Sequence, residues 1–437
     1  MKPQSVKFIL FPVVILLVIF LSGCKDKVIE KRVYTANVPV YMSYSDLRSA
    51  EIQSVEPVAM MNTGKIYFYN NYIFINEVLE GIHIIDNSDP TNPQNIGFID
   101  IPGNIDMSTS GTYLYADSYV DLVVLNISDL NNVTEVTRIN NVFSYTFPEY
   151  DQNYPIGPVD MNQGVVTGWT ISEVEEINEI DSRDGGWIYF GENEGVDMLN
   201  AESGGSGGKA STIAIAGSMA RFATHEGSLY TVNTSQVEVF DIANPASPVH
   251  TSATITTSRT IETLFTYNDY LFMGTTTGML VYDVSNSGNP AYVSEIDHFQ
   301  SCDPVVVDGT TAYVTLRAGN TCGGVTNSLE VININNISSP YVMNTYSMSG
   351  PYGLGIDGKT LFVCDGTAGL KIYDVTDPMN VDDHLISSFP GINAFDVIPY
   401  NDILILISEE GLYQYDYSDL ENIEEISFLP FIIAMAN

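Results

Sequence analysis

From about residue 61 to residue 431 the chain alternates short apolar runs with short polar breaks. Runs such as Tyr113-Leu114-Tyr115, Leu229-Tyr230-Thr231-Val232 and Tyr270-Leu271-Phe272-Met273 are rich in aromatic and β-branched residues. They read as strands, and the Asn, Asp, Gly and Pro between them read as turns. Helical periodicity is nearly absent after residue 25, so the pattern predicts an all-β fold.

The breaks are themselves periodic. A strand ends on Asp or Asn, an Asx-Pro or Ser-Pro turn follows, and another strand begins. Five copies are clear: GIHIIDNSDPTNP (81–93), VEVFDIANPASP (237–248), MLVYDVSNSGNP (279–290), LEVININNISSP (329–340) and LKIYDVTDPMN (370–380). Two more, LVVLNISDLNN (122–132) and LYQYDYSDLEN (412–422), lack the proline. The anchor residues Asp86, Asn126, Asp241, Asp283, Asn333, Asp374 and Asp416 are spaced by 40, 115, 42, 50, 41 and 42 residues.

A repeat of about 42 residues with four short strands is a propeller blade. The expectation is a β-propeller of seven or eight four-stranded blades over residues 61–431. One such sheet is too small to be stable alone. Stacking around an axis buries both of its faces and leaves only short edges. The anchor Asp and Asn residues are assigned to the turns, where Asx caps the break and Pro ends the ladder. The 50-residue step holds an insertion between Val314 and Leu329. In the 115-residue gap, PVDMNQGVVTGWTI (158–171) reads as the first two strands of a broken eighth unit and STIAIAG (211–217) as its last. A flexible acidic and glycine-rich insertion, residues 173–210, separates them.

GIHIIDNSDPTNP, VEVFDIANPASP and LKIYDVTDPMN resemble the LVIVD repeat of bacterial and archaeal surface proteins, over roughly residues 66–431. SMARF (218–222), CDPVVV (302–307) and GLGIDG (353–358) also resemble a Bacteroidetes lipoprotein subfamily. The resemblance implies a propeller and a surface location. It implies no activity and brings no catalytic residues with it.

Charge narrows the partners. Acidic residues outnumber basic ones 54 to 16, for a formal net charge of −38. Nucleic-acid binding, which rests on Lys and Arg against phosphates, is disfavoured. Solubility at a cell surface accounts for the charge. Calcium, which takes carboxylate oxygens, is the one cofactor the acidity suggests, and no other is expected.

The first residues read as an address. Lys2 and Lys7 precede the uncharged run FILFPVVILLVIFL (8–21), and Leu21-Ser22-Gly23-Cys24 follows. A short apolar region ending on small residues is a secretory signal. The cysteine after Ser-Gly resembles a lipobox, which implies removal of residues 1–23, a lipid on Cys24 and an outer-membrane or surface location. Residues 24–60 read as a lipidated tether and lead-in, and 432–437 as a tail. In an oxidising compartment Cys302 and Cys322, which flank one long hairpin, are the expected disulfide. Cys364, in the apolar run LFVCD, reads as a buried small hydrophobe.

Two motif matches and one enzyme class are rejected. Gly353-x-x-x-x-Gly358-Lys359-Thr360 fits a phosphate loop, but LFVCD follows where a helix is needed, so no nucleotide is expected. Gly204-Gly205-Ser206-Gly207-Gly208 fits a nucleophile elbow but lies in a glycine-rich spacer. Five histidines without a His-x-x-x-His pair disfavour a zinc hydrolase.

Propeller sites gather around the axis on one face. Superposing the repeats puts Ile105, Arg221, Glu262, Asp303, Tyr352 and Phe395 at the leading position of the first strands. Asn76, Asp117, Asn233, Gly274, Thr315 and Cys364 close the second strands, with Glu77 and Asp365 one position on. Arg221, Glu262 and Asp303 fall in successive units, so they read as a salt-bridge network between blades or as a polar ligand site, with Tyr352 and Phe395 as a stacking surface. Asp117, Asn233 and Asp365 complete the candidate face. The acidic cluster Glu173–Asp184 lacks calcium-loop spacing and reads as solvated. Three functions remain in view. The first is a non-catalytic module binding a protein or glycan. The second is a carbohydrate lyase or hydrolase using face carboxylates. The third is a calcium-dependent structural module.

Overall fold

The computed structural model describes residues 27–181, 214–297, 304–318, 324 and 326–432. Cys24, Cys302, Asp303 and Cys322 lie outside the described residues, and so does the proposed disulfide. Within them the chain builds seven four-stranded antiparallel blades in sequence order. Blades 1 and 2 span residues 63–100 and 107–139. Blades 3 to 7 span residues 222–256, 261–297, 305–347, 354–389 and 394–430.

Each repeat is held by the same local chemistry. In all seven, the anchor's Oδ1 accepts the amide N–H two residues further on, at 2.8 to 3.0 Å. The hydroxyl and then the amide of that residue hold Asp86, Asp283, Asp374 and Asp416 below the usual carboxylate range. The turn then docks on the preceding blade. Thr137 Oγ1 donates to Ala246 O at 2.8 Å, Ser294 Oγ to Ile337 O at 2.6 Å and Asn344 Nδ2 to Met379 O at 3.2 Å. Between these contacts, apolar side chains of neighbouring blades form shared clusters, such as Tyr230, Val239, Leu264 and Met273.

The ring closes without exchange of a strand. Blade 7 meets blade 1 through Ile66, Phe68, Ile398, Ile405 and Phe431, and Ile432 N donates to Met60 O at 2.9 Å. Gln414 and Asn87 exchange two amide hydrogen bonds across the seam, at 2.8 and 2.9 Å. Both are buried. Gln414→Ala strands the Asn87 amide, and a loss of about 1–3 kcal/mol in unfolding free energy is expected from denaturant titration. An unchanged midpoint would assign closure to the apolar seam alone.

Two segments depart from the sequence expectations. The stretch at 158–171 forms no part of a blade: Val165–Asp181 is one long strand, paired antiparallel with Lys27–Met42. The lead-in therefore supplies half of a two-stranded ribbon, roughly 50 Å long at about 3.3 Å per residue. Part of the acidic cluster lies on this ribbon, where the Lys31 ammonium meets Glu175 at 2.7 Å. After it, the helix Tyr44–Ser49 and the short strand Gln53–Val55 follow, the strand lying between the outer strands of blades 1 and 2.

The second departure lies on the axis. Ala214–Ala216 pairs with Thr63–Tyr69, the innermost strand of blade 1, and the chain then crosses the centre of the ring. Ser218 N donates to Asp396 Oδ1 at 3.2 Å, and Leu354 N donates to Ser218 Oγ at 2.7 Å. Leu264 N donates to Ala220 O at 2.7 Å. Residues 214–220 thus bond to blades 1, 4, 6 and 7 before the chain enters blade 3. Gly217 is required here, because a Cβ would stand 1.8 Å from Asp396 Oδ2. The described part of the STIAIAG stretch, residues 214–217, is a plug and does not complete an eighth unit.

Candidate functional site

The plug occupies the axis, and a pocket opens beside it, between blades 2 and 3. Arg221 emerges from the plug at the start of blade 3, and its amide donates to Asp106 Oδ2 at 2.5 Å. The same oxygen accepts Lys65 Nζ at 3.0 Å, in a pair whose side chains are 2 % and 4 % exposed. Lys65 also donates to Met219 O at 3.2 Å, tying the plug to the pair. Burial pushes the Lys65 ammonium down, and the Asp106 charge opposes it.

Asp117 closes the second strand of blade 2. Its Oδ1 accepts Asn104 Nδ2, Ile105 N and Asp106 N, at 2.8 to 2.9 Å. Burial nevertheless pushes its carboxyl up to about 6, with the neighbouring Asp106 adding to the rise. The amides of Asp106 and Ile105 and the Arg221 guanidinium oppose it. On the other wall, Asn233 Oδ1 accepts Ser144 N at 2.8 Å and Asn233 Nδ2 donates to Val142 O at 3.2 Å. These bonds hold the loop 142–146 over the opening, and Phe143 stacks on Phe222 at 5.5 Å.

The result is a pocket of about 30 Å³ with Asp106, Asp117 and Arg221 among its walls, lined also by the buried Tyr119 and by Phe143, Ser144, Tyr145 and Thr146. That volume takes one water or one small group of a ligand. The Arg221 guanidinium makes no hydrogen bond or ion pair with a described residue, and it acts on Asp117 through space. Five donors in a planar fork suit a carboxylate, a sulfate or paired hydroxyls.

The other candidates divide. No Arg221–Glu262 ion pair forms: Arg221 instead lines the pocket with Asp106 and Asp117 of blade 2. Glu262 is half-buried at the start of blade 4. Tyr352 and Phe395 do pack together, at 5.1 Å between ring centroids, but the Arg317 guanidinium covers the Tyr352 ring at 3.8 Å. Asp365 is buried and fully engaged: it accepts Ser349 N and Gly350 N, and pairs with Lys371 Nζ at 2.6 Å. It fixes a loop and offers no oxygen to a ligand. Cys364 is buried beside it, and burial pushes its thiol up, with the Asp396 and Asp365 charges adding to the rise.

Sequence reasoning missed Lys65, Asp106, Tyr119, Tyr145 and Arg317. The aromatic and hydroxyl alternation Phe143-Ser144-Tyr145-Thr146-Phe147 was the available signal for the rim.

Comparison with known proteins agrees with the blades. The LVIVD repeat family matches residues 62–100 and 105–141, which are blades 1 and 2. No curated protein matches the chain by sequence. A crystal structure of a Lactobacillus plantarum protein is similar at a TM-score of 0.52 and 12% identity, covering 85% of this chain and 97% of that one. Hsv2 of Kluyveromyces lactis has a TM-score of 0.47 at 10% identity, covering 84% of this chain and 99% of its own. Sqt1 of Saccharomyces cerevisiae has 0.46 at 10%, covering 85% and 86%. At these identities the first likeness concerns the fold alone.

Proposed function

We propose that this chain, an LVIVD-repeat β-propeller, is a recognition module that a lipid on Cys24 holds at the outer membrane or cell surface, and that it binds a glycan at the blade 2–blade 3 pocket. The observation that carries the reading is the Arg221 guanidinium. It stands in a pocket that Phe143 and Tyr145 also line, and it is bonded to no described residue. Aromatic faces beside a planar donor fork suit a sugar ring bearing a carboxylate or vicinal hydroxyls.

Binding rather than bond cleavage fits the way the nearby carboxylates are used. Asp106 and Asp117 are each engaged by backbone amides, and Asp106 also by Lys65. A general acid or base must instead reach the substrate. The ribbon from Lys27, three residues after Cys24, would stand the blades off the membrane.

The test is a glycan array probed with the full chain in detergent, wild type beside Arg221→Ala. Loss of the charge-assisted bonds should weaken the positive glycans roughly tenfold or more. Glycan binding indifferent to Arg221 would move the site elsewhere. An array without positives, with capture of a protein that depends on Arg221, would keep the pocket and change the ligand class.

A further inference from the structure

On the end of the ring opposite the pocket, the hairpins joining first and second strands touch their neighbours. In blades 1, 4 and 5 the residue just before the hairpin makes the contact. Tyr69 Oη donates to Gly111 O at 3.0 Å, and Gly309 N donates to Tyr267 Oη at 2.8 Å. Asp308 pairs with Lys359 at 3.6 Å. Strand register puts His225 at this position in blade 3, opposite Ser228, as Tyr69 stands opposite Tyr72 and Tyr267 opposite Tyr270.

His225 does not complete the pattern. Its side chain is 8% exposed, and its Nε2 is buried without a hydrogen-bond partner. That nitrogen points at the hairpin of blade 4, where Asp269 Oδ1 stands 3.9 Å away, beyond hydrogen-bond length. The Glu226 carboxylate is the third member: one donor atom from each of His225, Glu226 and Asp269 lies within 4.8 Å of the others. Ser287 Oγ donates to Glu226 O at 3.1 Å, so the hairpin backbone is fixed while its carboxylate remains exposed.

We infer that His225, Glu226 and Asp269 bind a divalent transition metal of the zinc class and that the ion fastens blade 3 to blade 4. A neutral imidazole nitrogen with two carboxylate oxygens suits zinc and its neighbours, whereas calcium and magnesium prefer all-oxygen shells. Bonds of about 2.0–2.2 Å bring the donors together by about an ångström. Both carboxylates stand on exposed turn residues that can make that movement, while the buried histidine is already aimed. A water completes the four-coordinate shell. The ion supplies the interblade contact that Tyr69 and Tyr267 make through hydrogen bonds elsewhere.

The test uses the full chain in detergent, stripped with chelator and titrated with Zn²⁺ alone in a calorimeter. Co²⁺ serves as a spectroscopic substitute, with its visible bands reporting coordination. One saturable site and a raised melting temperature are expected. Affinity should fall roughly tenfold or more in His225→Ala and in Asp269→Asn. Ca²⁺ should produce no shift, and His250→Ala, at the separate His250–Glu238 pair, should bind as wild type. Absence of saturable binding would overturn the site, as would wild-type affinity in His225→Ala. If that variant does not fold, Asp269→Asn, on the exposed turn, decides in the same way. Unchanged Co²⁺ bands in Asp269→Asn would then overturn the site, and lost bands would support it.

Discussion

Lys65→Met is expected to lower the unfolding free energy by about 3–5 kcal/mol, because it leaves the buried Asp106 carboxylate without its cation. The chain has placed an ammonium and a carboxylate where almost none of either side chain is exposed, so their mutual attraction is what makes either tolerable. Methionine fills the volume of the lysine stem, which separates loss of charge from loss of packing. The same change removes the bond from Lys65 to Met219 O, one of the ties that hold the plug to blade 1. Asp106 retains the amides of Met107 and Arg221, which keep the loss below that of an isolated buried ion. Adding Asp106→Asn to Lys65→Met should recover part of the loss, since the amide needs no counter-charge. The measurement is denaturant unfolding of the two single variants and the double. A loss below about 1 kcal/mol in Lys65→Met would show the pair to be solvent-screened.

The blades were legible in the sequence because their signals are local. Alternating apolar runs and an Asx anchor about every 42 residues specify strand, turn and face without reference to distant residues. The ribbon was not legible, because its two strands lie more than a hundred residues apart and neither shows a clean apolar face. Its logic, as in Lys31 against Glu175, exists only after pairing. The plug was hidden for a related reason. Ala214-Ile215-Ala216-Gly217-Ser218 is a short run, small but for Ile215, whose meaning comes from Ile66, Leu354 and Asp396, on three different blades.

The same distinction runs through the site. Aligning repeats put Asp117 and Asn233 at one level of successive units, and the pocket has both on its walls. It could not tell that Asp365 would be engaged by two amides and Lys371, since burial of each carboxylate is settled by neighbours outside the repeat. Lys65 and Asp106 were passed over because a charged residue inside or beside a strand reads as solvent-facing until the plug covers it.

Asp117 gives the second large effect, and its sign is set by burial. Its carboxyl titrates near 6 in the folded chain, against an ordinary value of 3.8. Between those values the folded state therefore holds more protons than the unfolded state, so stability falls as pH rises through that window. The full loss is roughly 3 kcal/mol, complete above about pH 6. Asp86, Asp283, Asp374 and Asp416 act in the opposite direction, because their depressed values make stability fall as pH drops below 3.8. In the wild type these contributions overlap on the acid side of that window. Asp117→Asn isolates the term of interest: its amide oxygen can still accept Ile105 N and Asp106 N, while nothing titrates. Its unfolding free energy should lack the decline between pH 4 and 6 and exceed the wild type at pH 7, less whatever the Arg221 attraction contributed. Equal slopes in the two proteins across that window would mean that Asp117 stays ionised throughout. Its ordinary titration would in turn require water in the pocket floor, and with it a site more open than its walls describe.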